Sequence, residues 1–301
     1  MPIIMEKIMA RPGISKLRLP PKKYRPDLRT RRRDGLIKFE TLDDARREDE
    51  LRIERLRRIA DQFPDIIDAQ AARKLAIRLR RATEFDERGN TPASSIYMRE
   101  QRIRTVGWLW SLYANPANAP VTTAHILPTK WIIHPQELMG TDPRKLLAQL
   151  RANLIRMGAT EADGFLFAGL HGEFNPNDER FHLHVHCLIS KGMIAVVERL
   201  RKLENRRLKK IANSKIRRSP VLIRRKKLRN LPEPISYCFQ SYWPKKAYDD
   251  PDTGNWKRGE KHRIPEPYHS LFLLWVDQWR VEDLTLLMKL SVKAGKLEIS
   301  H

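Results

Sequence analysis

Residues 181–190 read FHLHVHCLIS. Histidine alternates with apolar residues from His182 to Cys187, a period of two that suits a β-strand and no helix. The preceding stretch DGFLFAGLHGEF (163–174) also reads as a strand, and NPNDER between them is turn chemistry. A long antiparallel hairpin is therefore the first element the chain must accommodate. In it His182, His184 and His186 project from one face and Leu183, Val185, Cys187 and Ile189 from the other. The apolar side is expected to pack on helices and the histidine side to look outward. His171 and Glu173 lie two residues apart on the neighbouring strand, which puts residues near 171–173 opposite residues near 182–184. Register is the sensitive quantity, because a slip of one residue would move the whole set to the other face. Two imidazoles at i and i+2 can reach one ion, and a nearby carboxylate widens the choice to Mn2+ or Mg2+. His184, His186, His182, Glu173 and His171 are thus candidate metal ligands.

The rest of the chain divides by texture. Residues 1–34 are rich in Pro, Arg and Lys without periodicity and suggest an extended basic arm. Thr41 can cap a helix to about Ile59, with Asp43 and Asp44 in its first turn. A second helix fits Asp65 to about Thr83, and a third opens at Thr91-Pro92, with Ile96, Ile103, Trp110 and Tyr113 at helical spacing. ANPANAP then breaks the chain. VTTAHILPTKWII (121–133) is β-branched and strand-like, interrupted by Pro128. Thr141-Asp142-Pro143 starts a helix running to Gly158. After the hairpin come a helix from about Met193 to Ala212, a strand in PVLIRRKK, and a helix opened by Pro234 through about Trp243. The expected organisation is a basic arm and helical region (1–118), an α+β domain with a central antiparallel sheet (119–248), and a C-terminal loop and helical extension (249–301).

Charge narrows the function. The formal net charge of +23 exceeds what solubility requires and implies a polyanionic partner, nucleic acid before a membrane surface. Sixteen Lys or Arg against two Glu fall between residues 191 and 230. Arg206, Arg207, Lys209, Lys210, Arg217, Arg218, Arg224, Arg225, Lys226 and Lys227 form a candidate backbone-tracking groove. No apolar run approaches the ~18 residues a membrane span needs. No signal peptide is read at the N-terminus, and two cysteines (Cys187, Cys238) make a disulfide framework untenable, so a reducing cytoplasm is expected.

FHLHVHCLIS resembles the His-hydrophobic-His motif of the HUH endonucleases, a superfamily of rolling-circle replication initiators, relaxases and related transposases. His184-Val185-His186 match the motif, and His182 matches an extra upstream histidine of plasmid-type initiators. The resemblance covers about 130 of the 301 residues. It implies a third ligand from the preceding strand, where His171 and Glu173 stand. It also implies a nucleophilic tyrosine on a later helix, often in a Y-x-x-K-Y pattern with a further lysine. ISYCFQSYWPKK departs from that pattern. Tyr237 and Tyr242 are five residues apart, Gln240 and Ser241 replace the internal lysine, and Lys245 and Lys246 follow. Five residues place the two tyrosines about 140° apart around a helix, so one nucleophile is expected, Tyr237 before Tyr242. The implied activity is metal-dependent nicking of single-stranded or melted DNA through a 5′-phosphotyrosine, with Lys245 and Lys246 lending positive charge. A host helicase or polymerase is an implied partner. Two other readings stay open: a DNA-binding regulator of the same fold without chemistry, and a metal-dependent phosphodiesterase that activates water.

Overall fold

The computed structural model describes residues 13–26, 41–85, 89–210, 219–239 and 263–300. Arg217, Arg218, Tyr242, Lys245 and Lys246 lie outside the described residues, as do the two tips of the basic arm.

The hairpin is the centre. Strand β3 (Leu166–Asn175) pairs with β4 (Arg180–Ser190) in unbroken antiparallel register, His171 opposite His184 and Glu173 opposite His182. The other edge of β4 takes β1 (Val121–Ile126) and, past a single 3-10 turn at Thr129–Trp131, the two-residue β2 (Ile132–Ile133). Pro128 cannot donate to a ladder, which is why one sequence run yields two strands. β5 (Val221–Ile223) extends the sheet beyond β1, and β6 (Thr285–Met288) beyond β3, giving the order β5-β1-β4-β3-β6. The protein is α+β, with helices on an antiparallel sheet.

The apolar face of β4 is buried as its alternation requires: Leu183, Val185, Cys187 and Ile189 are fully inside. They share a core with α4 (Pro135–Leu138), α5 (Pro143–Arg156), α6 (Gly192–Lys210) and α8 (Tyr268–Asp277), while α1 (Leu42–Gln62) and α2 (Ala69–Glu84) pack outside α8. Asp142 caps α5 by accepting from the Arg144 amide at 2.9 Å, and Thr41 forms a capping box with Asp44 on α1. Gly172 lets α8 approach β3, since a Cβ there would sit 2.4 Å from the Phe272 ring.

The histidine face differs from expectation. It does not look outward: His171, His182 and His184 are buried. The same face also carries Phe165, Phe167 and Leu188, which need cover of their own. Helix α3 (Ser95–Ala114) supplies it with Met98, Val106, Leu109 and Leu112, together with Leu228, Ile235, Cys238 and Phe239 from the segment after β5. Part of the basic arm is ordered there too, with Ile14 and Leu17 buried in the same core. The C-terminal stretch is a second correction. It is helical only to Asp277; then a 3-10 turn leads into β6 and a hairpin of β7 (Leu290–Lys293) and β8 (Lys296–Ile299). TLLM alternates buried with half-buried side chains, so the period there is two, and the open edge of β3 takes it up.

One buried polar network ties α3 to α1. Asp49 accepts hydrogen bonds from Ser94 Oγ at 2.8 Å and from the Ser95 and Ile96 amides at 2.6 and 3.2 Å, satisfying the start of α3. Arg52, fully buried, lies 3.6 Å from Asp49 and donates to the Ala93 carbonyl at 2.7 Å. Asp49→Ala removes the acceptor for three donors and one of the two carboxylates beside the buried guanidinium, leaving Arg52 with Glu48 at 3.2 Å. The expected cost is about 3–5 kcal/mol, read as a fall in the denaturant midpoint with unchanged slope.

Candidate metal centre and cleft

Pairing, more than sequence proximity, assembles the candidate metal site. His186 on β4 faces His125 on β1, and His184 lies two residues back on the same strand. Directly paired residues and i, i+2 neighbours share a face, so three imidazoles converge. One candidate ligand atom from each of His125, His184 and His186 lies within 4.8 Å of the others. His184 Nε2 and His186 Nε2 are 3.2 Å apart, the separation of two nitrogens each held about 2.1 Å from one ion. His184 Nδ1 is 3.0 Å from the carbonyl of His182, so Nδ1 carries the proton and Nε2 offers its lone pair to the cluster. The donor set is three imidazole nitrogens. That suits a divalent transition ion, and Mn2+ accepts nitrogen donors more readily than Mg2+, which is held mainly by oxygen.

The other sequence-derived ligands take different places. His171 is opposite His184, with ring centroids 5.9 Å apart, and lies 5.0 Å from the His186 ring. It is buried behind the triad and outside it. Burial first, then the neighbouring His184, pushes its pKa down to about 3, so it is neutral. The Cys238 carbonyl pulls the other way without reaching ordinary hydrogen-bond geometry, and among the described residues both ring nitrogens lack a partner. His182 is drawn aside by Asp178, whose Oδ2 is 2.9 Å from its Nε2. Glu173, beside His182, sits at the far end of the row from His186. The candidate ligand that sequence reasoning missed is His125. Its signal was a histidine inside the β-branched run VTTAHI; what could not be read was that this strand, distant in sequence, would border β4.

Tyr237 joins the site from the covering segment. The helix expected through Trp243 is, among the described residues, the single turn α7 (Glu233–Ser236), and Tyr237 follows its last residue instead of sitting mid-helix. Its ring centroid is 6.4 Å from that of His186, and the side chain is 39% exposed. A cleft of about 830 Å³ has His125, His186, Tyr237, Arg224, Arg229 and Glu233 among its lining residues. Gly169 sets the approach: a Cβ at this position would stand 2.1 Å from the Cys238 carbonyl oxygen. Only a glycine lets the chain beside Tyr237 lie so close to β3.

The expected basic groove is divided by the sheet. Arg206, Arg207, Lys209 and Lys210 end α6, which packs on the face opposite the histidines. Arg207 pairs with Glu204 at 2.5 Å, and Arg225 pairs with Glu198 of the same helix. Arg224 faces the cleft, and Lys226 and Lys227 are exposed on the loop that leads to α7. Among the described residues no helix is long and apolar enough to cross a membrane.

Comparison with protein-family models, with curated proteins and with solved structures finds no match to this chain.

Two substitutions separate the cluster from its cover. His125→Ala is expected to weaken Mn2+ binding, measured by titration calorimetry, beyond the roughly 10–100-fold that loss of a mere orienting partner costs. Gly169→Ala is expected to lower stability by about 1–3 kcal/mol as the Tyr237 segment is forced off the sheet. It should leave Mn2+ affinity within a few-fold, because the triad stands on other residues.

Proposed function

We propose that the protein is a metal-dependent nicking endonuclease of the HUH type, acting on single-stranded or melted DNA with Tyr237 as nucleophile. The observation that carries the reading is the shared cleft, in which Tyr237 stands beside a histidine triad built on the His-Val-His pair of the central strand. The antiparallel sheet with helices against it agrees with what the sequence resemblance implies. Two features are this chain's own: the third histidine comes from β1, and the tyrosine follows a one-turn helix.

In this reading His125, His184 and His186 would hold a divalent ion, which would supply Lewis-acid stabilisation to the charge that grows on a phosphodiester under attack. The hydroxyl oxygen of Tyr237 bonds to phosphorus, the P–O3′ bond breaks, and the leaving oxygen takes a proton to become a free 3′-OH. The tyrosine retains the 5′-phosphate, so the phosphodiester's energy is conserved for rejoining. Arg224 and Arg229 line the same cleft as Tyr237, where their guanidinium groups would face the negative charge of the bound strand. The supercationic chain, at +23, draws the polyanion in.

The test uses labelled single-stranded DNA with Mn2+ and a denaturing gel. The wild-type chain is expected to form a covalent adduct that survives denaturation. Tyr237→Phe removes one hydroxyl and should abolish the adduct without loss of folding or DNA binding. His184→Ala and His186→Ala should abolish cleavage while binding persists. Cleavage without an adduct would select water as the nucleophile, and binding without cleavage a regulatory role. An adduct that persists in Tyr237→Phe would shift the nucleophile to Tyr242.

A further inference from the structure

The wall of the cleft beside His125 carries an unusual combination of side chains. Arg224 and Arg229 both line it, and both are exposed. Among the described residues neither has an ion-pair partner, although Arg225 between them is held by Glu198 on the other side of the strand. Two guanidinium groups in one cleft repel each other, and the carboxylate of Glu233, which lines the same cleft, is a single negative charge against the two. The backbone that carries them is fixed. The Arg224 amide donates to the Thr123 carbonyl at 2.9 Å, and Thr122 Oγ1 donates to the Arg224 carbonyl at 2.7 Å. At the other end Leu228 is buried in the core beneath, and Asn230 takes a left-handed turn (φ 55°) into α7. The two arginines are therefore presented and not swept about on a long free loop.

Between the arginines and the metal cluster lies an apolar shelf. Leu222 is paired with His125, so the two share the cleft face, yet Leu222 is 49% exposed. A large aliphatic side chain left open beside two cations and an exposed tyrosine matches one class of ligand: an anionic backbone with flat apolar appendages. A phosphate alone would use the arginines and ignore the shelf; a protein acid would do the same.

We infer that Arg224 and Arg229 grip the phosphates flanking the reacting one in a single-stranded polynucleotide, with a base seated on Leu222. This rests on the cleft being the reacting site, and it adds which side chains hold the strand there. A volume of about 830 Å³ is that of a ligand pocket, enough for roughly two nucleotides and too small for a duplex. Guanidinium groups pair with phosphate oxygens in a two-pronged fashion, and an unstacked base can rest on an apolar side chain only when it is not paired to a second strand.

The test measures fluorescence anisotropy of a labelled 12-nucleotide single strand, and of the same sequence as duplex, with metal-free protein over a salt series. The double variant Arg224→Ala/Arg229→Ala is expected to bind the single strand about 10–100-fold more weakly. Its slope of log affinity against log salt should fall by about 1.4, two phosphates at roughly 0.7 each. Lys209→Ala/Lys210→Ala, an equal loss of charge on the far side of the sheet, should change affinity by less than about three-fold. Leu222→Ala should reduce the preference for single strand over duplex and leave the salt slope unchanged. The inference is overturned if the arginine variant keeps wild-type affinity and slope, or if the α6 variant weakens binding equally. Because no metal is present and no adduct is scored, this result is independent of the nicking chemistry. Strand binding through Arg224 and Arg229 in a protein that never forms an adduct would keep the inference and remove the nickase.

Discussion

The unbroken pairing of β3 with β4 is the constraint from which the remaining architecture follows. Its register is enforced from both sides. A slip of one residue would drive the imidazoles of His182, His184 and His186 into an aliphatic core and lift Leu183, Val185 and Ile189 off it. Burying each of those aliphatic side chains contributes about 1.5–3 kcal/mol, so the alternative register loses several such contributions at once. Fixing β4 then fixes its neighbours. β1 borders its C-terminal half and delivers His125 to His186. β3 delivers His171 to His184 and leaves Gly169 opposite His186.

A central strand buried on both faces needs two covers, and the chain makes them from different material. The aliphatic face takes α5, α6 and α8, whose apolar stripes complete one large core. The histidine face takes α3 and the stretch from Leu228 to Phe239, set down on Phe165, Phe167 and Leu188. This second cover is what turns a row of strand histidines into a site. It buries His171 and His184, stops short over His186 and His125, and places Tyr237 at the edge where it stops. Asp49 and Arg52 hold the start of α3 against α1, so the position of the cover depends on a charged pair that is itself inside the protein.

Three imidazoles converge within 4.8 Å of one another at the centre of a cationic protein. A ring nitrogen that carries a proton has no lone pair to offer a cation, so protons and a metal ion compete for the same atoms. Positive charge is kept outside the triad, at the cleft wall and along the surface, where it meets solvent and polyanions instead of competing with an ion for the same lone pairs.

The sequence by itself determined the local elements and the chemistry they carry. The period of two in HLHVHC, the turn in NPNDER, the caps at Thr41 and Asp142 and the break at Pro128 are near-neighbour effects, legible because each is decided within a few residues. So was the candidacy of His184 and His186, which needs only that one strand have two faces. What tertiary structure decided was every relation between elements distant in sequence. His125 became a candidate ligand because β1 borders β4, a pairing between residues some sixty positions apart that no local pattern encodes. His182 and Glu173, equally plausible on the strand, lie at the end of the row that Asp178 engages. TLLM became an edge strand because β3 had an open edge, although its composition suits a helix as well. The inward burial of the histidine face came from α3, a helix more than sixty residues upstream of β4, whose apolar residues needed a sheet to rest on. Secondary structure follows short-range sterics and periodicity, whereas a site of this kind follows from which surfaces must be removed from water together.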